Sequence, residues 1–372
     1  MFSLASFCSL QPAQAAAPVT SSKYVCLLDS ASGQVIYGKN IDEKRQVAST
    51  TKMMTAILTV QYAGLDEIAS VSKHADQTAE YTLGLKTGSQ LTVEELLKAA
   101  LIKSANDAAV VLAEHIAGDE LLFAHLMSVK AFAIGAVNTR YDNASGLPGG
   151  RQHSTAYDQA VIGRYLMTNP LLKSLVGSKQ VYFKHPQYSQ PLLLNNTNSL
   201  LSSYPGADGI KTGTTNAAGK CLVASATRQG RQLIAVVLNS YDRNGDCKLL
   251  LDYGFNNTSQ VLVIDTGEPF KEIFFREGET GILSLYPDQD IYLWMGDAPL
   301  NVEKKVSLKY DIKAPVSKNE ALGTIQVYVE GKPVAGATLQ TASAYSQQPA
   351  WAVRVLNGLA RRWGLFSGPT PF

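Results

Sequence analysis

A serine and a lysine three positions apart, Ser49 and Lys52, are the first pair in this sequence that could carry out covalent chemistry. Residues three apart share a face of an α-helix, and the apolar residues that follow from Ala56 predict a helix here. A serine hydroxyl becomes a good nucleophile when a nearby base takes its proton. A lysine can be that base if burial, a second cation or a helix N-terminus lowers its pKa. The same pair also fits a helix-capping serine beside a solvated lysine.

A second polar motif, Ser104 and Asn106, lies between two predicted helices. The first helix begins with a capping box formed by Thr92 and Glu95, because a threonine followed three residues later by a glutamate marks a helix start. The second helix is predicted over residues 108–117 and ends at a glycine. Serine and asparagine prefer turns to helix interiors, so we expect both side chains to project from a tight connection. Simple capping of the second helix is the alternative.

A third motif contains Lys211, Thr212, Gly213 and Thr214 and directly precedes an apolar strand over residues 220–227. Another strand is predicted at 233–238, and a hairpin at 24–29 and 34–37 begins the same region. Helices dominate the middle of the chain, so the order is strands, helices, strands. This order predicts an α+β fold in which helices cover an antiparallel sheet, rather than repeating βαβ units.

The two ends of the chain have different patterns. Residues 1–17 are apolar and small and contain Ala13-Gln14-Ala15, which fits a signal-peptidase site and predicts export. Residues 258–345 contain short β-branched runs between turns, which predict a small all-β domain. Residues 346–372 place tryptophan and aliphatic side chains on one helical face and arginines on the other. This pattern predicts a helix that lies on a membrane surface, and a helix docked on the protein is the alternative.

Composition and spacing argue against several classes of protein. The chain has 372 residues, of which 45% are hydrophobic and 17% charged, as in ordinary globular proteins large enough for two domains. A net charge of +2 does not indicate a nucleic-acid partner. The histidines are scattered without metal-ligand spacing, so we expect no metal and no cofactor. After loss of the leader an odd number of cysteines remains, namely Cys26, Cys221 and Cys247. We expect buried free thiols, although one disulfide is possible.

In this order, the three motifs resemble those of the penicillin-recognising serine acyltransferases. The sequence is most similar to the low-molecular-mass penicillin-binding proteins, which are serine-type D-alanyl-D-alanine carboxypeptidases of peptidase family S11. The matching strings are ASTTKMMT at 48–55, SANDAA at 104–109 and DGIKTGTT at 208–215. The resemblance covers roughly residues 20 to 257. It implies a catalytic domain at 18–257 with the transpeptidase fold shared by penicillin-binding proteins and serine β-lactamases.

The resemblance implies three catalytic residues. Ser49 is expected to attack the penultimate D-alanine carbonyl of a peptidoglycan stem peptide, forming an acyl-enzyme and releasing terminal D-alanine. Lys52 is expected to take the Ser49 proton, and Ser104 to relay a proton toward the leaving amine. By the same resemblance, the backbone N–H groups of Ser49 and Thr214 form the oxyanion hole.

The resemblance also implies the substrate-binding residues. Asn106 is expected to hold the substrate amide, and Lys211 to attract the terminal carboxylate and lower the pKa of Lys52. The hydroxyls of Thr212 and Thr214 are expected to bind the same carboxylate. Gly213, which lacks a side chain, is expected to let the substrate lie along the strand. β-Lactam antibiotics are the expected covalent inhibitors, and the outer face of the cytoplasmic membrane is the expected location.

Three alternatives to the carboxypeptidase remain open at this point. A class A β-lactamase shares the motifs but adds a glutamate in a Glu-x-x-Leu-Asn string, which does not occur between Asn106 and Lys211. A peptidoglycan endopeptidase would use the same motifs on cross-linked peptides. A non-catalytic wall-binding scaffold would be expected to have a damaged motif, and all three motifs are intact.

Overall fold

The structure is a computed structural model that describes residues 17–274, 282–313 and 315–345. Except for its last residue, the predicted leader at 1–17 lies outside these ranges, as does the whole predicted tail at 346–372. The described chain forms two compact units. The first consists of the described residues up to Ser259 together with Met295–Leu300, and the second consists of Gln260–Trp294 and the described residues from Asn301 onward. Within the described ranges, no helix has both the length and the apolar character needed to cross a bilayer.

The first unit contains nine strands and nine helices that the structure describes. The strands are β1 Tyr24–Asp29, β2 Val35–Lys39, β3 Ile68–Ser70, β4 Gln90–Thr92, β5 Gln180–Phe183, β6 Leu192–Asn195, β7 Ala207–Thr215, β8 Gly219–Arg228 and β9 Arg231–Ser240. The helices are α1 Lys52–Tyr62, α2 Lys73–Asp76, α3 Val93–Lys98, α4 Asn106–Ala117, α5 Glu120–Ala133, α6 Ala156–Met167, α7 Pro170–Gly177, α8 Leu200–Ser203 and α9 Arg243–Asn256.

The central sheet of this unit is antiparallel, with strand order β2-β1-β9-β8-β7. Helices cover both of its faces. α9 packs so closely on one face that a Cβ added to Gly254 would lie 2.5 Å from Leu233. α6 packs on the other face, where a Cβ added to Gly163 would lie 3.0 Å from Val223 and 3.7 Å from Ile234. Successive strand residues point to opposite faces, so the adjacent residues Leu233 and Ile234 mark the two covered faces. This burial explains the continuous apolar runs of β8 and β9, and the predicted α+β fold is confirmed.

The helical layer brings the first two motifs together at the ends of two buried helices. From Lys52 to Thr59 every residue of α1 is buried, and so is every residue of α4 from Asn106 to Ala113. The two helices pack against each other. Lys52 at the start of α1 and Asn106 at the start of α4 are hydrogen-bonded to each other. The N-termini of α1 and α4 therefore meet beside the edge strand β7.

Local features follow the predicted pattern with a few shifts. α4 begins at Asn106, two residues before the predicted start, and a π-helical turn at Ala99–Lys103 extends α3 to the second motif. The Thr92 hydroxyl accepts from the Glu95 amide at 3.3 Å, so the threonine half of the predicted capping box is present. The Glu95 carboxylate accepts instead from Lys98 Nζ and from the Lys184 amide. The three described cysteines are buried, and Cys221 and Cys247 are free thiols, as expected.

The second unit is built from short strands, which confirms the predicted all-β domain. Its strands are β10 Thr258–Ile264, β11 Lys271–Phe274, β12 Ile282–Pro287, β13 Ile291–Gly296, β14 Val302–Leu308, β15 Ala321–Val329 and β16 Lys332–Thr341. Five of them form an antiparallel sheet in the order β11-β12-β16-β15-β14, and β10 pairs with β13. Alternate residues of β15, including Ile325, Val327 and Val329, are buried, as the period of a strand with one covered face requires.

Candidate active site

Ser49 lies in a 3-10 turn, Ala48–Thr51, that runs directly into α1. The residue before this turn is Val47, and the residue before α1 is Thr51; neither makes a side-chain capping bond. Ser49 is partly exposed, whereas its immediate neighbours are buried. The alternative of a helix-capping serine is therefore wrong. The turn instead presents one hydroxyl at the surface of an otherwise buried segment.

Two glycines allow other parts of the chain to approach this turn. A Cβ on Gly213 would lie 2.8 Å from the Val47 carbonyl oxygen and 3.0 Å from the Ser49 amide nitrogen. Gly146 has a positive φ of 86°, and a Cβ there would lie 2.0 Å from the Ala48 carbonyl oxygen. A side chain at either position would push the Ser49 turn away. The absent side chain of Gly213 thus has a packing role, in addition to the substrate access expected from the sequence.

The Lys52 side chain is fully buried, so the alternative of a solvated lysine is also wrong. Its Nζ lies 3.1 Å from Ser49 Oγ, 2.5 Å from Asn106 Oδ1 and 2.6 Å from the Ser145 carbonyl oxygen. The sequence motifs did not include Ser145. Its contribution comes from the main chain, so no residue type at position 145 could have signalled it.

Burial lowers the pKa of the Lys52 amine well below its ordinary value, and the positive charge of Lys211 lowers it further. The carboxylates of Asp107 and Glu120 act in the opposite direction but do not reverse the shift. The environment therefore favours the neutral amine, which carries a lone pair and can accept a proton.

Two carbonyl groups orient that lone pair. Asn106 Nδ2 donates to the Ala79 and Glu80 carbonyl oxygens at 3.3 and 2.9 Å. Because those oxygens only accept, Asn106 must turn Oδ1 toward Lys52. Asn106 Oδ1 and the Ser145 carbonyl therefore both accept N–H groups of the lysine. A neutral amine has two N–H groups, and its remaining tetrahedral position, the lone pair, then faces Ser49.

Ser104 connects the second motif to the third. It has a left-handed conformation, with φ of 67°, where the π-helical turn ends. Lys211 Nζ donates to Ser104 Oγ at 2.9 Å and to the Thr212 carbonyl oxygen at 3.1 Å. Lys211 is buried, and burial together with the charge of Arg243 lowers its pKa to about 7. The contacts thus link Ser49 with Lys52 and Ser104 with Lys211.

Thr212 is buried within β7, whereas Thr214 is exposed near the end of the strand, where Arg243 contacts it. The Thr212 and Thr197 hydroxyls are 2.6 Å apart. Arg243 Nη1 donates to Thr214 Oγ1 at 2.9 Å and to the Gly213 carbonyl oxygen at 3.1 Å. Arg243 was missed from the sequence. Arg243 is the first residue of α9, which Asp242 caps, and the folded structure brings this turn beside β7.

A cleft of about 790 Å³ opens beside this end of β7. Its lining residues are Ala79, Glu80, Tyr81, Leu147, Pro148, Thr214, Thr215 and Asn216. The loop at Glu80 and Tyr81 has positive φ values of 52° and 44°, and Asn106 fixes it by hydrogen bonds to its carbonyl groups. The cleft can therefore receive an extended chain between β7 and the loop. In the parts of the chain that the structure describes, no His, Cys, Asp or Glu cluster is arranged for a metal ion.

Lys211→Met is expected to stabilise the protein relative to the natural chain near pH 6, and this advantage should shrink as the pH rises from about 7 to about 10. The folded-state pKa of Lys211 is about 7, whereas unfolded lysine titrates near ~10.4. Between those values the unfolded chain binds a proton that the folded chain lacks, so this lysine makes stability increase with pH. Urea unfolding at several pH values measures the effect. A difference in unfolding free energy that does not change with pH would contradict a lowered pKa for Lys211.

Solved structures resemble this arrangement over most of the chain. The D-alanyl-D-alanine carboxypeptidase DacD from Francisella tularensis has a TM-score of 0.70 and 25% identity, covering 91% of this chain and 97% of its own. Penicillin binding protein 5 from Haemophilus influenzae has a TM-score of 0.67 and 27% identity, covering 89% and 99%. The fold and the clustered serine and lysine residues therefore define the penicillin-binding-protein class.

Sequence comparison gives the family within that class. The model described as D-alanyl-D-alanine carboxypeptidase, peptidase S11, matches residues 11–242, and the C-terminal domain of penicillin-binding protein 5 matches 259–347. DacC of Escherichia coli strain K12 is 32% identical over 86% of this chain and 82% of its own length. DacF of Bacillus subtilis strain 168 is 31% identical over 84% and 83%. The chain belongs to the S11 D-alanyl-D-alanine carboxypeptidase family, a family of serine hydrolases.

Proposed function

We propose that this protein is a serine-type D-alanyl-D-alanine carboxypeptidase that removes terminal D-alanine from peptidoglycan stem pentapeptides. The observation that carries the proposal is the buried Lys52 amine, whose Nζ lies 3.1 Å from Ser49 Oγ and donates to the oxygens of Asn106 and Ser145. Membership of the S11 family and relatives named as carboxypeptidases support the same reaction.

In the proposed acylation step, Ser49 Oγ attacks the carbonyl carbon of the penultimate D-alanine while Lys52 takes the hydroxyl proton. The backbone N–H groups of Ser49 and Thr214 hold the negative oxygen that develops. As the C–N bond breaks, Ser104 gives its proton to the leaving D-alanine nitrogen and regains one from the protonated Lys52. The proton taken from Ser49 thus leaves with the product, while Lys211 stays charged and bonded to Ser104. Water then hydrolyses the ester on Ser49, which restores the free enzyme.

The same proposal assigns the cations at the end of β7 to the terminal carboxylate of the substrate. Lys211 is the first residue of the third motif, and Arg243 donates a hydrogen bond to the Thr214 hydroxyl at the other end of the motif. A bound carboxylate would favour the charged form of Lys211 and raise its pKa above the value of about 7 in the free protein. Asn106 Oδ1 keeps one lone pair with which to accept a substrate N–H.

Incubation of the purified protein with a peptide ending in D-Ala-D-Ala, followed by assay of free D-alanine, tests this function. We expect release of one D-alanine per peptide and inhibition by penicillin. A cross-linked dimer offered beside the pentapeptide tests the endopeptidase alternative. Cleavage of the dimer without D-alanine release from the pentapeptide would contradict the carboxypeptidase assignment.

Penicillin is expected to act as an inhibitor rather than as a substrate that turns over rapidly. Lys52 Nζ contacts the main-chain carbonyl of Ser145. A carbonyl oxygen cannot take a proton from water as the carboxylate of a glutamate can. This geometry favours a long-lived penicilloyl ester over β-lactamase activity. Penicillin consumption in large excess over enzyme would be the contrary observation.

We further propose that residues 1–17 direct export and that residues 18–257 and 258–345 form the catalytic and β-rich domains. Residues 346–372 would then hold the protein to the outer face of the cytoplasmic membrane. The support is the sequence pattern of tryptophan and aliphatic residues opposite Arg354 and Arg361. The location agrees with a substrate found in the cell wall.

Deletion of residues 346–372 is expected to release active protein from lipid vesicles, because the amphipathic stretch supplies the apolar contact with the membrane. Sedimentation with vesicles containing anionic lipid measures the bound fraction. The full-length Trp363→Glu variant tests the same contact without a deletion. It should bind fewer vesicles while retaining D-alanine release. A truncated protein that still sediments with the vesicles would show that the membrane contact lies elsewhere.

A further inference from the structure

A glutamate outside the three motifs binds the segment of chain that faces Lys52. Glu120 is the first residue of α5, and its side chain is only 14% exposed. Its Oε1 accepts from the Ala144 amide at 2.9 Å, and its Oε2 lies 2.8 Å from His74 Nε2. One carboxylate therefore joins α5, α2 and the loop that leads to Ser145.

The Ala144 residue is fixed from two sides. Its N–H donates to Glu120, and its carbonyl oxygen accepts from Thr55 Oγ1 at 2.6 Å. Thr55 is a buried residue of α1, one helical turn after Lys52. The next carbonyl in the chain, that of Ser145, is the one that accepts from Lys52 Nζ. Because both attachments lie one residue away, they set the direction of the Ser145 carbonyl.

The loop also has internal hydrogen bonds, but these have a different effect. Asn143 Oδ1 accepts from the Ser145 amide at 3.2 Å and from the Gly146 amide at 2.7 Å. These bonds shape the turn without attaching it to a helix. Attachment of Ala144 to α5 and α1 comes from Glu120 and Thr55. Loss of either bond leaves Ala144 attached on one side only, so the Ser145 carbonyl is less firmly placed against Lys52.

We propose that Glu120 is a positioning residue for acylation. It holds Ala144 so that the Ser145 carbonyl binds one N–H of Lys52 and the lone pair of the amine faces Ser49. The inference rests on the proposed function, since it concerns the same acylation step. In this geometry Glu120 bonds neither Ser49 nor Lys52, and it acts through the main chain of residues 144 and 145.

Glu120 also acts through its charge, and the two effects can be separated. Its carboxylate and that of Asp107 raise the pKa of Lys52, against the lowering by burial and by Lys211. An amide at position 120 would keep an oxygen that accepts from Ala144 but would carry no charge. Glu120→Gln therefore removes only the charge effect, whereas Glu120→Ala removes both. The bond to Glu120 raises the pKa of His74, with smaller effects in the same direction from Glu114 and Asp119.

The test is the rate of acylation by a fluorescent penicillin, measured over a range of pH in the full chain. The rate should increase with pH as Lys52 loses its proton and then reach a plateau. We expect Glu120→Ala to lower the plateau by about 10- to 100-fold, as misplacement of a reacting group does. Glu120→Gln should stay within about threefold of the natural protein. In both variants the rise should move to lower pH, because the Lys52 pKa falls.

Asp119→Ala is the matched structural control. Asp119 caps the same helix by accepting from the Leu122 amide at 2.9 Å, so its loss weakens α5 without removing the Ala144 bond. Its plateau should equal that of the natural protein. Thr55→Val removes the second attachment of Ala144 and should lower the plateau as Glu120→Ala does. This variant keeps the proposal testable if Glu120→Ala does not fold.

Three results would overturn the proposal: a natural plateau rate in Glu120→Ala, an equal loss in Glu120→Gln, or an equal loss in Asp119→Ala. The first would show that the bond has no effect on acylation. The second would assign the effect to charge, and the third to the stability of α5. Natural protein that is never acylated would instead contradict the proposed function, so the two failures are distinguishable.

Discussion

Ser49→Ala is expected to abolish covalent labelling by penicillin and to lower kcat for D-alanine release by on the order of 10⁶-fold, as removal of a serine nucleophile does elsewhere. The variant retains Lys52 and the neighbouring carbonyl groups but has no atom that can form the ester. Stability should change by less than about 1 kcal/mol, because the partly exposed hydroxyl makes few contacts. Fluorescent penicillin labelling and D-alanine assay measure the two losses.

Ser202→Ala is a matched control for this substitution. Ser202 is an exposed serine of α8, so both labelling and D-alanine release should be unchanged. Ser49→Ala protein that still forms a stable penicillin adduct would show that another residue is the nucleophile. Circular dichroism of both variants checks that the fold is intact.

Lys52→Met is expected to give the second largest loss, lowering the acylation rate by about 10³-fold, within the usual range for removal of a general base. Methionine fills a similar volume but cannot accept the Ser49 proton. It also leaves Asn106 Oδ1 and the Ser145 carbonyl without the lysine N–H groups, each loss costing about 1–3 kcal/mol. Removal of the buried amine offsets part of that cost, because no lysine then has to lose its proton on folding.

Rapid-mixing kinetics with fluorescent penicillin measures this effect. Lys103→Met is the matched control, since Lys103 is an exposed lysine next to the second motif and should acylate at the natural rate. A Lys52→Met variant that acylates within about tenfold of the natural protein would contradict the role of Lys52 as base. The Ser104–Lys211 pair would then be the remaining candidate source of base catalysis.

Much of the fold could be predicted because its signals are local. The hairpin of β1 and β2, the strands β8 and β9 and the cap at Thr92 each depend on residues close in sequence. The order of these elements then favoured an antiparallel sheet covered by helices. The exact first residue of α4 could not be predicted from the sequence, because asparagine is common in turns whereas Asn106 lies in the first turn of a buried helix.

The motif residues of the candidate site could be identified from spacing, but their partners could not. Ser49 and Lys52 lie three residues apart, whereas Arg243 reaches β7 only because of the order of strands in the sheet. Ser145 contributes a main-chain carbonyl, which is present at every position and leaves no trace in the sequence. Glu120 acts through that main chain and is equally invisible to motif searches. The structure therefore adds the groups that orient the Lys52 amine and shift its pKa.

Peptide mapping by mass spectrometry tests most directly whether Ser49 forms the acyl-enzyme. The protein is incubated with penicillin, denatured and digested, and the modified peptide is fragmented. We predict one penicilloyl group per chain, located on Ser49. An adduct on any other residue, or natural protein that is folded but unmodified at saturating penicillin, would contradict it.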